Sequence, residues 1–89
     1  MLRVTKAVQQ SKSVTLKVEG RIASEWIDVL ERECRTLLED DRSVLLDFSN
    51  VTFIDRGGVE MLESLAAEDV EIINCSVFIT DLLNEEHGP

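Results

Sequence analysis

Residues 44–65 read VLLDFSNVTFIDRGGVEMLESL, and this stretch decides the fold. Val44, Leu45, Leu46, Phe48, Val51, Phe53 and Ile54 form a dense apolar block, broken only by Asp47, Ser49-Asn50 and Thr52. The continuous run through Leu46 suits a central strand, covered on both faces or paired on both edges. Ser49-Asn50 has turn chemistry and is expected to interrupt the extended chain. Asp55 then carries a short carboxylate placed to cap a helix, in which Val59, Leu62, Leu65 and Ala66 share one face. A strand that passes at once into a helix through Asp55-Arg56-Gly57-Gly58 turns a polar corner and a helix N-terminus toward solvent. Such a corner is built to be read by another molecule.

Upstream, Leu2, Val4 and, less regularly, Val8 predict an edge strand. Val14, Leu16 and Val18 alternate with Thr15, Lys17 and Glu19, which predicts a half-buried strand ending at Gly20. Ser24 is the expected N-cap of a helix reaching about Asp40, with Glu25 and Asp28 at the positive end of its dipole. Ile27, Leu30, Cys34, Leu37 and Leu38 recur at helical spacing as its buried stripe, widened by Trp26 and Val29. Downstream, Val70, Ile72 and Ile73 predict a strand. Val77–Thr80 has strand propensity, yet Phe78, Ile79, Leu82 and Leu83 fit one helical face, with Asn74 or Ser76 available as cap. Helix is the expectation there. The order is then ββαβαβα, an α/β fold with a mixed sheet of about four strands and helices packed against it.

The bounds set by composition agree. At 89 residues and 10.0 kDa, residues 1–89 are expected to form one domain, with no room for a second core. An apolar fraction of 44% and a charged fraction of 30% are those of a water-soluble domain. No apolar run approaches the ~18–20 residues of a membrane span. The opening MLRVTKAVQQ lacks the continuous apolar core of a secretory signal, so a cytoplasmic location is expected. Cys34 and Cys75 are too few and too scattered for a disulfide framework and are expected to be reduced.

The net charge of −9 is unevenly spread. Every Lys and Arg lies at or before Arg56, and beyond it come only acids. Phosphate contacts need clustered cations, so nucleic acid is disfavoured as a partner, and anionic membranes are disfavoured for the same reason. An acidic surface serves solubility, or it forms a docking face for a basic protein surface.

Asp47-Phe48-Ser49-Asn50-Val51-Thr52-Phe53-Ile54-Asp55 resembles the Asp-Leu-Ser-Gly-Val-x-Phe-Ile-Asp pattern of the STAS domain, named for sulfate transporters and anti-sigma factor antagonists. Gly58, Val59 and Leu62 resemble the start of that family's next helix, and Ser76-Val77 through Leu82-Leu83 its following short helix. Little chain remains after Leu83 for the last helix of longer members. The resemblance implies a non-catalytic interaction module, acting as an anti-sigma factor antagonist or a related partner-switching subunit in bacterial-type transcriptional signalling. Phosphorylated antagonists carry a Ser or Thr between the Asp and the Gly of this turn. Here Arg56 and Gly57 stand there, and neither can take phosphate. A phosphate adds about −1.5 to −2 charges to a docking surface, so that switch is expected to be absent. Soluble STAS subunits of ABC-type phospholipid transporters also carry an Asp-x-Gly-Gly turn, which makes an ABC ATPase the alternative partner.

The implied partner-binding surface comprises Ser49, Asn50, Asp55, Arg56, Gly57, Gly58, Glu60, Met61 and Ser64. Arg56 is a cation in the first turn of a helix, where the dipole favours anions by ~0.3–1 kcal/mol, and such a local conflict is expected at a functional position. It either presents its guanidinium to a partner's carboxylate or phosphate, or sits in solvent and pairs loosely with Asp55. Gly57-Gly58 at a helix start could hold an anion, which keeps a nucleotide-binding protein as an alternative from another class. No Walker loop is present, and a tight entry with close backbone approach accounts for the glycines. Catalysis finds no support: His87 is the only histidine, in a terminal Glu85-Glu86-His87 run that does not preorganise a metal site. No cofactor is expected.

Overall fold

The computed structural model describes residues 2–87, with side chains through residue 84. Seven elements follow in the expected order: β1 (Leu2–Gln9), β2 (Ser13–Ile22), α1 (Trp26–Glu39), β3 (Ser43–Ile54), α2 (Arg56–Ala66), β4 (Val70–Ile73) and α3 (Val77–His87). The sheet order is β1-β2-β3-β4, antiparallel between β1 and β2 and parallel across β2, β3 and β4. Both β–α–β crossovers step the same way across the sheet, so the right-handed rule places α1 and α2 on one face. Burial agrees. Val14, Leu16 and Val18 of β2 and Val44, Leu46 and Phe48 of β3 are fully covered, whereas Thr15, Lys17, Glu19, Leu45 and Asp47 on the opposite face are only half-buried.

Two expected breaks are not breaks. Ser49-Asn50 does not turn: β3 runs unbroken from Ser43 to Ile54. The register shows why. Lys17 pairs with Asp47 but Glu19 with Asn50, and Gly20 pairs with Val51 but Arg21 with Phe53, so β3 twice absorbs one extra residue as a bulge. The first bulge is held by the Ser49 amide, which donates to Asp47 Oδ1 at 3.0 Å. The bulges bring Phe48, Val51 and Ile54, spaced three apart, to the same core, which an uninterrupted period of two would prevent. Gly20 likewise does not end β2. It lies inside the strand at φ 103, a conformation that favours glycine, and its carbonyl accepts from Thr52 Oγ1 at 3.1 Å beside the second bulge.

Two expectations for α1 are also corrected. Ser24 is not its N-cap, because at φ 56 it is left-handed rather than extended; Glu25 occupies that position without a side-chain cap. Leu30, Cys34 and Leu37 form the buried stripe, but Val29 is 40% exposed and does not widen it. At the other end of the chain, α3 is a helix as expected. Ser76 supplies its cap, accepting from the Ile79 amide at 3.2 Å, and Ile79 is the side chain that enters the core. Phe78 leaves the expected apolar face and is exposed together with Val77. Strand propensity at Val77–Thr80 yields because the left-handed Asn74 redirects the chain and Ser76 then caps the next turn.

A third bulge, in β1 between Lys6 and Val8, turns Val8 to the open face opposite Thr15. A bulge and an exposed lysine on the long edge strand, with only four residues in the other edge strand, guard both edges against pairing with other chains.

Cys34 sits at the centre of this core. Burial pushes its thiol up from 9.0 to about 12, and the neighbouring Glu33 adds to the shift. A raised thiol pKa gives stability that is complete below 9.0 and is lost as pH climbs toward 12. Cys75, by contrast, is half-buried. Thiol labelling at neutral pH is expected to modify Cys75 alone, with Cys34 reacting only on unfolding. Rapid labelling of both in the native protein would contradict this packing.

Candidate functional site

The corner at the head of α2 is built by its own residues. Asp55 is extended, at φ −93 and ψ 178, and its Oδ1 accepts from the Gly58 amide at 2.8 Å, as an N-cap should. The Asp55 amide in turn donates to the Ile22 carbonyl at 3.1 Å, which pins the corner to the end of β2. With the backbone tied at both points, Arg56 and Gly57 are thrust outward. Arg56 is 79% exposed, and its Nε lies 3.5 Å from Glu60 Oε1, a surface pair one turn along. Arg56 thus sits in solvent with Glu60 as a partner one turn along, while Asp55 Oδ1 serves the helix as its cap.

The two glycines have separate jobs. A Cβ on Gly58 would lie 2.7 Å from Ile54 Cγ1, 3.0 Å from Ile22 Cγ2 and 3.1 Å from the Ile22 carbonyl. Gly58 is a buried packing residue rather than part of a docking surface. A Cβ on Gly57 would meet only the terminal methyl of Ile27, at 3.1 Å, together with Asp55 Oδ1 at 3.5 Å, and Gly57 itself is exposed.

Met61 also leaves the expected surface: it is 6% exposed and belongs to the core. The cause is the position of α2 between neighbours, which buries Gly58, Val59, Met61, Leu62 and Leu65 over an arc wider than one stripe. One turn beyond Met61, the Ser64 hydroxyl accepts from Arg35 Nη2 of α1 at 3.1 Å, and Arg35 also pairs with Glu31 at 3.3 Å. Ser64 is exposed but engaged in the α1–α2 seam. Glu60 remains on the outer side of α2, and Ser49 and Asn50 are exposed on the bulge of β3.

One organising residue went unread in the sequence. Asp47 has its carboxyl held below the usual 3.8 by the Ser49 amide first, then by the Ser49 hydroxyl and the Asn74 side chain, with Lys17 adding a small favourable charge. It holds the first bulge of β3 from within the strand. The stabilisation is complete above 3.8 and drains away as pH falls through the lowered value. Asp-x-Ser, with an acceptor two residues before a serine amide, was the available signal.

Among the described residues no helix is long and apolar enough to cross a membrane. No group of three or more His, Cys, Asp or Glu side chains among them could hold a metal ion, and the side chains of Glu85, Glu86 and His87 lie outside the described residues. What the corner presents to solvent is a guanidinium, exposed backbone at Gly57 and the Glu60 carboxylate, on a backbone fixed by the Asp55 hydrogen bonds.

Solved structures share this frame. The anti-sigma factor antagonist SpoIIAA in its unphosphorylated form is similar over 92% of this chain and 82% of its own, with a TM-score of 0.69 at 12% identity. An antisigma-factor antagonist STAS domain from Rhodobacter sphaeroides is similar over 82% of this chain and 86% of its own, with a TM-score of 0.65 at 16% identity. A protein of the DUF3478 family with a SpoIIAA-like fold, from Shewanella loihica, reaches a TM-score of 0.60 at 14% identity, over 94% of this chain and 77% of that one. At such identities the likeness is one of fold. No curated protein matches the sequence. The STAS domain family model matches residues 5–83, which takes in the whole sheet beyond its first three residues, α1, α2 and the Asp55 corner; the chain belongs to the STAS domain family.

Proposed function

We propose that this domain is a non-catalytic protein-interaction module acting in the manner of an anti-sigma factor antagonist, in the cytoplasm, within bacterial-type control of transcription. Its partner is a kinase-like anti-sigma factor, met through Asp55, Arg56, Gly57 and Glu60 with Ser49 and Asn50 alongside. The observation that carries this reading is the corner itself, with Arg56 79% exposed on a backbone fixed by the Asp55 cap. Gly58 and Met61 support the corner from beneath, and Ser64 does so from the α1 side. With Arg56 and Gly57 where antagonists carry a hydroxyl, the complex is not switched by phosphate at this turn and is controlled by abundance or competition.

Capture from host lysate with the tagged domain, followed by reconstitution from purified components, tests the partner. A kinase-like anti-sigma factor is expected. An ABC ATPase in its place would move the domain to the transporter-subunit reading, which the Asp55-Arg56-Gly57-Gly58 turn also favours. Arg56→Glu is expected to weaken the reconstituted complex at least about tenfold, the scale of one lost charge-assisted contact. It should leave the urea midpoint nearly unchanged, because an exposed i,i+4 pair contributes only about 0.3–0.5 kcal/mol. Unaltered affinity would remove Arg56 from the interface, and a collapse in stability would make it structural.

A further inference from the structure

The three helices are not held equally. α1 buries Leu30, Cys34 and Leu37, and α2 buries five residues, but among the described side chains of α3 only Ile79 is fully covered. Leu82 and Leu83 are half-buried, and Val77 and Phe78 stand in solvent. Beyond Ile79 the helix stands off from its neighbours. An open cleft of about 420 Å³ lies between Leu83 and Asn84 of α3, Val59, Leu62 and Ala66 of α2, and Ile72 of β4. Helices in proteins owe most of their stability to packing, and here that packing is concentrated in one side chain.

Local preference does not make up the difference. The first turn, Val77-Phe78-Ile79-Thr80, consists of β-branched and aromatic residues, which favour strand over helix. No acid stands in that turn to complement the dipole, and its side-chain cap is a neutral hydroxyl, Ser76 Oγ, 3.2 Å from the Ile79 amide. The strand before it, β4, is an edge strand of four residues, so α3 can leave without disturbing the pairing of β2 with β3. We infer that α3 is a lid held shut by one latch, Ile79, and that it opens as a unit while the sheet, α1 and α2 stay folded. Few buried apolar contacts mark a segment that opens below the global free energy of unfolding. Opening lays bare Val59, Leu62 and Ile72, the α2 and β4 walls of the cleft, which the closed domain withholds. The device is independent of the Arg56 corner.

A detached helix of 11 residues is marginal in water, so the released lid unravels and its amides exchange with solvent. Native-state hydrogen exchange of the full chain, followed by NMR at low urea concentrations, reads this opening. The helical amides of residues 81–84 are expected to exchange together, with protection at least about a hundredfold below that of the slowest amides of β2 and β3. Their exchange should depend only weakly on urea, since the opening exposes little surface, whereas the strand amides should follow the slope of global unfolding. Leu30→Val removes one buried methylene from α1 and should lower strand protection roughly fivefold. Protection in α3 should not change in that variant, because α1 remains packed when the lid is open. Ile79→Ala should strip residues 81–84 of protection while the resonances of β2 and β3 keep their native positions. Equal protection and equal urea dependence in α3 and the strands would overturn the inference. So would a matching fall in α3 protection on Leu30→Val, or global unfolding of Ile79→Ala. Absence of any protection in native α3 would do the same, leaving no closed state for the latch to hold.

Discussion

Gly58→Ala is expected to lower stability by about 1–3 kcal/mol, the cost of overpacking a filled interior. Helix propensity alone gives the opposite sign, since alanine in place of glycine within a helix favours folding by roughly 1 kcal/mol. Space decides the sign. The methyl would stand 2.7 Å from Ile54 Cγ1, which can yield, but also 3.1 Å from the Ile22 carbonyl, which belongs to the strand backbone that holds the Asp55 amide. Relief of one contact tightens the other. A thermal midpoint lower by about 4–8 °C per kcal/mol is the readout for a domain of this size. Gly57→Ala is the internal control: only the Ile27 terminal methyl stands close, at 3.1 Å, and it can rotate away. That variant should be neutral or slightly stabilised. A stabilised Gly58→Ala would show that the corner has room and that its glycine serves the surface after all.

Phe48→Ala carries the largest expected loss, about 3–5 kcal/mol. Phe48 is the largest fully buried side chain, on the central strand directly before the first bulge. Small domains hold only about 5–15 kcal/mol in total, so this variant should sit near the edge of folding at ambient temperature. Urea denaturation followed by Trp26 fluorescence checks it. A loss below 1 kcal/mol would mean that the neighbouring side chains close the void, contrary to the packing described.

Which features the sequence disclosed follows from their range. The Asp55 cap, the buried stripe of α1 and the alternation of β2 each depend on neighbours within a turn or two, and all were legible. The bulges of β3 were not, because an extra residue is defined against a partner strand some thirty positions away. Ser49-Asn50 has turn chemistry in isolation, yet Asp47 uses that chemistry to hold the strand extended. The signal was the spacing of Phe48, Val51 and Ile54, which fits neither a plain strand nor a helix continuing into α2. At the site, Asp55 and Arg56 were read correctly as cap and exposed cation. Met61 was misplaced because a single apolar stripe was assumed for α2, whereas contact with α1, the sheet and α3 covers it on three sides.

The parallel pairing of β2 with β3 has a consequence for how the chain assembles. Val14 lies beside Val44 and Leu16 beside Leu46, so the two innermost strands cannot meet until the intervening residues 23–42 have looped back. Local pieces such as the β1–β2 hairpin and the nascent α1 can form early, but the pairing that unites them is the slow step. Until it closes, Val44-Leu45-Leu46 stands uncovered in water. Fresh polypeptide is thus most at risk of clumping before that rendezvous, and early helix formation in α1 shortens the wait by drawing the two strands together.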